Sequence, residues 1–107
     1  MSKDFTGTIQ DFTKAIEQEG NKQVIVDFWA AWCGPCRMVS PILSKIEEEN
    51  ENVTLIKVDV DSNQELSSFF NISSIPTLMF FQNGVSNKTT LIGALPKEVI
   101  LEHIALN

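Results

Sequence analysis

Val24-Ile25-Val26-Asp27-Phe28-Trp29-Ala30-Ala31-Trp32-Cys33-Gly34-Pro35-Cys36 reads as a buried strand that runs into a tight turn carrying two thiols. Val24 to Trp29 is β-branched and aromatic at all but one position. That pattern belongs to a strand covered on both faces, as in the centre of a parallel sheet. The only two cysteines of the chain follow, in a Cys-x-x-Cys spacing. Gly34 and Pro35 suit a turn that opens a helix, where proline is pre-set for helical φ. Cys33 then precedes the first turn and faces outward. Free N–H groups and the positive end of the helix dipole favour its thiolate. The thiolate is the nucleophile of disulfide exchange. Cys36 falls on the face shared with Val39 and Leu43 and is predicted to be the less accessible sulfur. These residues point to a dithiol that attacks other disulfides.

Working outward, Met38, Val39, Ile42, Leu43 and Ile46 recur at helical spacing, so a helix is predicted over about 34–50. Pro41 lies inside it and is expected to kink it. Upstream, Ile9, Phe12 and Ile16 mark an amphipathic helix over about 8–19, stopped by Gly20. Downstream, Val53 to Val60 reads as a second buried strand. Leu66, Phe69 and Phe70 suggest a short helix, and Thr77 to Phe81 a further strand. Asn83-Gly84 is a turn signal, with Lys88 to Ile92 as the antiparallel partner. Pro96 suits the first position of a last helix that turns Val99, Ile100 and Ile104 inward. A first strand near the N-terminus is poorly marked. Alternating strands and helices predict an α/β fold. Its mixed sheet has a parallel core, a closing antiparallel hairpin at one edge and about four flanking helices. No repeat or linker interrupts the chain, so residues 1–107 are read as one domain.

Composition narrows the function. Hydrophobic residues make up 43% and charged residues 21% of 107 residues, which is ordinary for a globular domain. The net charge of -6, with no Lys or Arg cluster, argues against nucleic-acid and anionic-membrane roles. Met1 to Gly7 has no apolar core of signal-peptide length, and no run approaches the ~20 apolar residues of a membrane span. An intracellular, cytoplasmic protein is expected. In that setting two cysteines point to catalysis or metal binding rather than to a staple. Structural zinc needs four ligands, and His103 is the only further Cys or His. A purely structural disulfide across so short a loop would constrain the unfolded chain little.

The chain resembles the thioredoxin family over nearly its whole length. The matching segments are Val26 to Met38, then Pro41, Lys57-Val58-Asp59-Val60-Asp61, Ile75-Pro76-Thr77-Leu78, Gly84 and Gly93-Ala94. A bare Cys-x-x-Cys is a weak signal. Trp-Cys-Gly-Pro-Cys with an upstream Asp and a downstream Ile-Pro-Thr is a strong one. The resemblance implies a general protein-disulfide reductase. Cys33 would be the exposed nucleophile and Cys36 the buried resolving thiol. A thioredoxin reductase would re-reduce the pair, disulfide-containing proteins would be the substrates, and no cofactor would be bound. It also implies that Asp27 handles the proton of Cys36, that Ile75–Pro76 is cis opposite the cysteines, and that Gly93-Ala94 lines the docking groove. A monomer is expected.

Other readings stand beside these. Asp27 is an acid in an apolar strand, so burial is expected to raise its pKa; alternatively it is a strand-end acid satisfied by hydrogen bonds. Lys57 lies near Asp27 on the neighbouring strand and tunes it, or else snorkels with an exposed ammonium. Trp29 is expected to pack under the turn. Trp32 is expected to be half exposed as an apolar surface for partners. His103 reads as a helix-surface histidine without a partner. Arg37 stands where the family often has Lys, which keeps the positive charge. Asn71 stands where it often has Gly, and Asn tolerates the left-handed conformation. A disulfide oxidase or isomerase of the same fold, and a non-enzymatic binding module, remain the rival functions.

Overall fold

The computed structural model describes residues 3–104. Five strands are formed: β1 (Lys3–Asp4), β2 (Gln23–Trp29), β3 (Val53–Asp59), β4 (Thr77–Gln82) and β5 (Val85–Ile92). The helices between and after them are α1 (Ile9–Gln18), α2 (Gly34–Glu49), α3 (Gln64–Phe69) and α4 (Lys97–Leu101). The strands make one sheet in the order β1-β3-β2-β4-β5. β3 pairs in parallel with β1 and with β2, whereas β4 pairs antiparallel with β2 and with β5. The apolar run of β2 therefore reports burial on both faces but not the direction of its neighbours. One neighbour is parallel and the other antiparallel.

Local chemistry sets the helix ends. Thr8 accepts from the Asp11 N–H at 3.1 Å while the Asp11 carboxylate accepts from the Thr8 N–H at 2.9 Å, a reciprocal cap for α1. Gly20 then takes φ +61°, a conformation that suits glycine, and the helix does not continue. Pro41 is on the exposed side of α2, and the helix runs on through it over 16 residues. The missing proline N–H leaves the Arg37 carbonyl without its helical donor, a small loss inside an otherwise complete helix.

Four expectations are corrected in detail. β5 begins at Val85, three residues before Lys88. Asn83 (φ 54°) and Gly84 (φ 77°) form a two-residue turn, so pairing resumes at once with Gln82 opposite Val85. The polar Ser86-Asn87-Lys88, with Lys88 at φ 67° and a register shift between Met79 and Phe81, hides that start from the pattern. Pro96 is extended (ψ 157°) and caps α4 from outside, one position before the first helical residue. Phe69 ends α3 exposed, while Phe70 packs against Phe12, Phe28 and Phe81. His103 lies past α4, with its ring 5.9 Å from that of Phe80, so it is not an unpartnered helix-surface group.

Each face of the sheet is closed by two helices. Val24, Val26, Phe28, Ile56, Val58 and Phe81 pack with Phe12 and Ile16 of α1 and Leu66 of α3. Ile25, Leu55, Leu78 and Phe80 pack with Val39, Leu43 and Ile46 of α2 and with Ile100 of α4. Side chains alternate along a strand. Asp27 therefore shares the α2 side with Ile25, at the end of β2 where α2 begins.

Candidate active site

The site forms where β2 ends and α2 starts. Trp29 closes the strand, Ala30 to Trp32 make the turn, and Cys33 is the N-cap of α2, with Gly34 and Pro35 in its first turn. Cys33 and Cys36 are joined by a disulfide, with Cα atoms 5.3 Å apart. The Cys36 N–H donates to Cys33 Sγ at 3.1 Å, and the Cys33 N–H donates to the Ala30 carbonyl at 3.1 Å. The first sulfur thus takes the place that a Ser or Asp oxygen takes at other helix starts. Any negative charge on it meets an N–H and the positive helix end.

The two sulfurs do not differ in exposure as the sequence implies. Cys33 is 4% exposed and Cys36 3%. The closed disulfide lies against Ala30, with Trp29, Val60 and Ile75 around it. What separates the two sulfurs is the backbone N–H aimed at Cys33, not solvent access.

Asp27 is 0% exposed, and neither carboxylate oxygen has a hydrogen-bond partner among the described residues. The reading of Asp27 as an acid satisfied by hydrogen bonds is therefore not met. Burial pushes its pKa up from 3.8 to about 6, against the opposing field of the Lys57 ammonium. Lys57 is its register partner on β3, and the two side chains share one face. Lys57 Nζ donates to Ser40 Oγ at 3.1 Å and stands 4.9 Å from the centre of the Trp29 ring. Asp27, Cys36, Arg37, Ser40 and Lys57 line a cavity of about 190 Å³, room for a few water molecules.

An apolar rim surrounds the disulfide. Trp32 is 67% exposed, more than half, and its indole N–H donates to the Asp61 carboxylate at 2.8 Å. Ile75 packs against the cysteine pair, and the Ile75–Pro76 bond is cis. Gly93 (φ 97°) donates its N–H to the Pro76 carbonyl at 2.9 Å, and Ala94 beside it is exposed. The structure thus gathers Trp32, Cys33, Cys36 and Ile75 in one place and ties Gly93 to it through Pro76.

Ser40 and the bond that Arg37 makes have no place among the expectations from sequence, which name Arg37 only for its positive charge. Ser40 is four residues after Cys36, so helix spacing alone placed it on the cysteine's face. Arg37 donates from its guanidinium to the Ala31 carbonyl at 2.9 Å and so braces the turn. That bond depends on the turn's shape and has no signal in spacing. Among the described residues, no group of three or more His, Cys, Asp and Glu side chains is gathered to hold a metal ion. No described helix is long and apolar enough to cross a membrane.

Comparison with known proteins agrees with this geometry. A family model described as Thioredoxin matches residues 5–106. The thioredoxin of Alicyclobacillus acidocaldarius subsp. acidocaldarius is 48% identical over 101 residues, 94% of this chain and 93% of that one. A bifunctional thioredoxin reductase/thioredoxin of Mycobacterium leprae is 46% identical over 86 residues, 79% of this chain and 19% of that longer one. Among solved structures, Trichomonas vaginalis thioredoxin matches with a TM-score of 0.82 at 36% identity, covering 94% of this chain and 93% of that one. Fasciola hepatica thioredoxin matches with a TM-score of 0.83 at 31% identity, over 94% and 93% of the two chains.

Proposed function

The chain belongs to the thioredoxin family, and from that membership we propose how its own residues perform the family's reaction. The activity is protein-disulfide reduction by dithiol–disulfide exchange. The oxidase, isomerase and binding-module readings are not favoured.

In the reduced chain, Cys33 is the nucleophile. Its thiolate attacks one sulfur of a substrate disulfide, forms a mixed disulfide and expels the other substrate sulfur as thiolate. Cys36 resolves that intermediate. It gives its proton to Asp27, directly or through water in the cavity between them, and its sulfur attacks Cys33 Sγ. The mixed disulfide breaks, the second substrate thiolate leaves, and the Cys33–Cys36 bond forms. Two electrons have then passed from this chain to the substrate. The observation that carries the assignment is the Cys36 N–H held 3.1 Å from Cys33 Sγ at the helix start, beside a buried acid. An acid raised to about 6 still takes up a proton near neutral pH, where an ordinary Asp is a much weaker base.

Trp32, Ile75, Pro76, Gly93 and Ala94 form the surface on which an extended segment of the substrate docks. Lys57 tunes Asp27 from the neighbouring strand. The electron donor is a thioredoxin reductase. The Mycobacterium leprae relative, which carries both names on one chain, supports that pairing. We further assign a cytoplasmic, monomeric, single-domain protein that needs no bound cofactor, its redox group being the cysteine pair itself.

The test is reduction of insulin disulfides with a thioredoxin reductase couple. Cys33→Ser is expected to lose at least about a thousandfold in turnover, since the remaining thiol lacks the helix-start position. Cys36→Ser is expected to stall as a mixed disulfide visible by mass. Undiminished turnover by Cys33→Ser would overturn the assignment of roles.

A further inference from the structure

The Lys57 ammonium has a carboxylate within reach and is not bonded to it. Lys57 and Asp27 are register partners on adjacent strands, yet both Asp27 oxygens lack a hydrogen-bond partner among the described residues. The ammonium bonds instead to Ser40 Oγ at 3.1 Å and lies over Trp29, 4.9 Å from the ring centre. Ser40 reaches it from α2, one helical turn beyond Cys36. An unpartnered carboxylate should otherwise attract an ammonium that carries three donors.

We propose that Ser40 is a positioning residue, whose hydroxyl holds Lys57 off Asp27 so that Asp27 keeps the proton affinity it needs to serve Cys36. The inference rests on the proton role given to Asp27 above. Its physics is a contest of short distances. A cation that closes on a buried carboxylate stabilises the charged form and weakens it as a base. A hydroxyl that accepts from the same cation offers a competing partner without adding charge. Ser40 does this from the helix that carries Cys36, so the tether sits in the cavity where the proton moves.

The charged and titratable groups around Asp27 and Lys57 are few. On the α2 side, Arg37 and Cys36 line the same cavity as Asp27. From β1, Asp4 is the register partner of Lys57 on its other side. Asp59 is two residues along β3 and, with Asp4 and Lys57, lines the adjoining cavity. Asp4 lies across β3 from Asp27. Ser40 is the neutral partner on the Asp27 side.

The experiment follows the Asp27 carboxyl carbon by NMR titration in wild type, Ser40→Ala, Ser40→Thr, Lys57→Met and the Ser40→Ala/Lys57→Met double variant. Ser40→Ala is expected to lower the Asp27 midpoint by about half a pH unit, as Lys57 closes on the carboxylate. The pH profile of mixed-disulfide release should move down with it. Ser40→Thr retains a hydroxyl and should return the midpoint to the wild-type value. In the double variant the midpoint should equal that of Lys57→Met alone, because Ser40 acts only through the ammonium. An unchanged or raised midpoint in Ser40→Ala would overturn the inference, as would a Ser40→Ala effect that persists without Lys57. The Asp27 role on which it rests fails separately. In that case Asp27→Asn leaves the pH profile of release unaltered, whatever the titrations of the Ser40 variants show.

Discussion

On one side of the sheet, Val24, Val26 and Phe28 of β2 meet the aromatic and aliphatic side chains of α1 and α3. On the other side Ile25 meets Val39 and Leu43 of α2, but the next inward residue is Asp27, facing the cavity beneath Cys36. One strand of seven residues thus supplies both environments by alternation. The first side is a dry core in which Phe12 stands edge-on to Phe5, Phe70 and Phe81, and all its groups favour the folded state. The second contains a buried acid with no hydrogen-bond partner among the described residues, which opposes folding whenever it is ionised. The stabilising face and the reacting face are thus separated by the thickness of one strand. The well-packed face lets the other keep a group that is unfavourable to bury.

Substitutions at adjacent positions on β2 should therefore act in opposite directions. Phe28→Ala on the dry side is expected to lower stability by about 3–5 kcal/mol in urea unfolding, through lost burial and a cavity. A loss below about 1 kcal/mol would mean that this face does not supply the stability assigned to it.

Asp27→Asn, one residue away, is expected to do the opposite and raise stability by about 3 kcal/mol at pH 7. The sign follows from the raised pKa. Between the unfolded value of 3.8 and the folded value of about 6, the folded chain holds more protons than the unfolded one. Stability contributed by this site therefore falls as pH rises through that window. Below pH 3.8 the acid is protonated in both states and the penalty vanishes; above about 6 it is complete. The advantage of Asp27→Asn should be full above pH 7 and shrink to near zero by about pH 3. A gain that did not depend on pH would separate it from the charge.

The smallest stability effect is expected at the rim. Trp32→Ala removes an exposed ring and one exposed hydrogen bond to Asp61, so stability should change by about 0.5 kcal/mol or less. KM for a protein substrate should nevertheless rise by about fivefold, as for an aromatic contact at an interface. Equal kinetics would remove Trp32 from the docking surface and sharpen the boundary between fold and function.

Much of this was readable in the chain. Val24 to Trp29, the Met38 to Ile46 spacing, and Ile9, Phe12 and Ile16 followed by Gly20 each combine a pattern with an end signal, so β2, α2 and α1 are found within a residue or two. β5 starts before the pattern marks it, because its first half is polar and bulged and a two-residue turn leaves no loop to mark its start. Trp-Cys-Gly-Pro-Cys located the reacting pair. Spacing could not reveal that both sulfurs are buried in the closed disulfide, since Val60 and Ile75, which pack against the pair, lie on other segments.

By itself the sequence determined which elements form, which strand is central, and that two thiols open a helix, because those properties depend on neighbours within a few positions. Tertiary structure alone decided the direction of β4 beside β2 and the isolation of Asp27 from any hydrogen-bonding partner among the described residues. It also decided that Lys57 bonds to Ser40 rather than to the acid. Those outcomes turn on residues 13 to 57 positions apart along the chain, and no local period carries information across such distances.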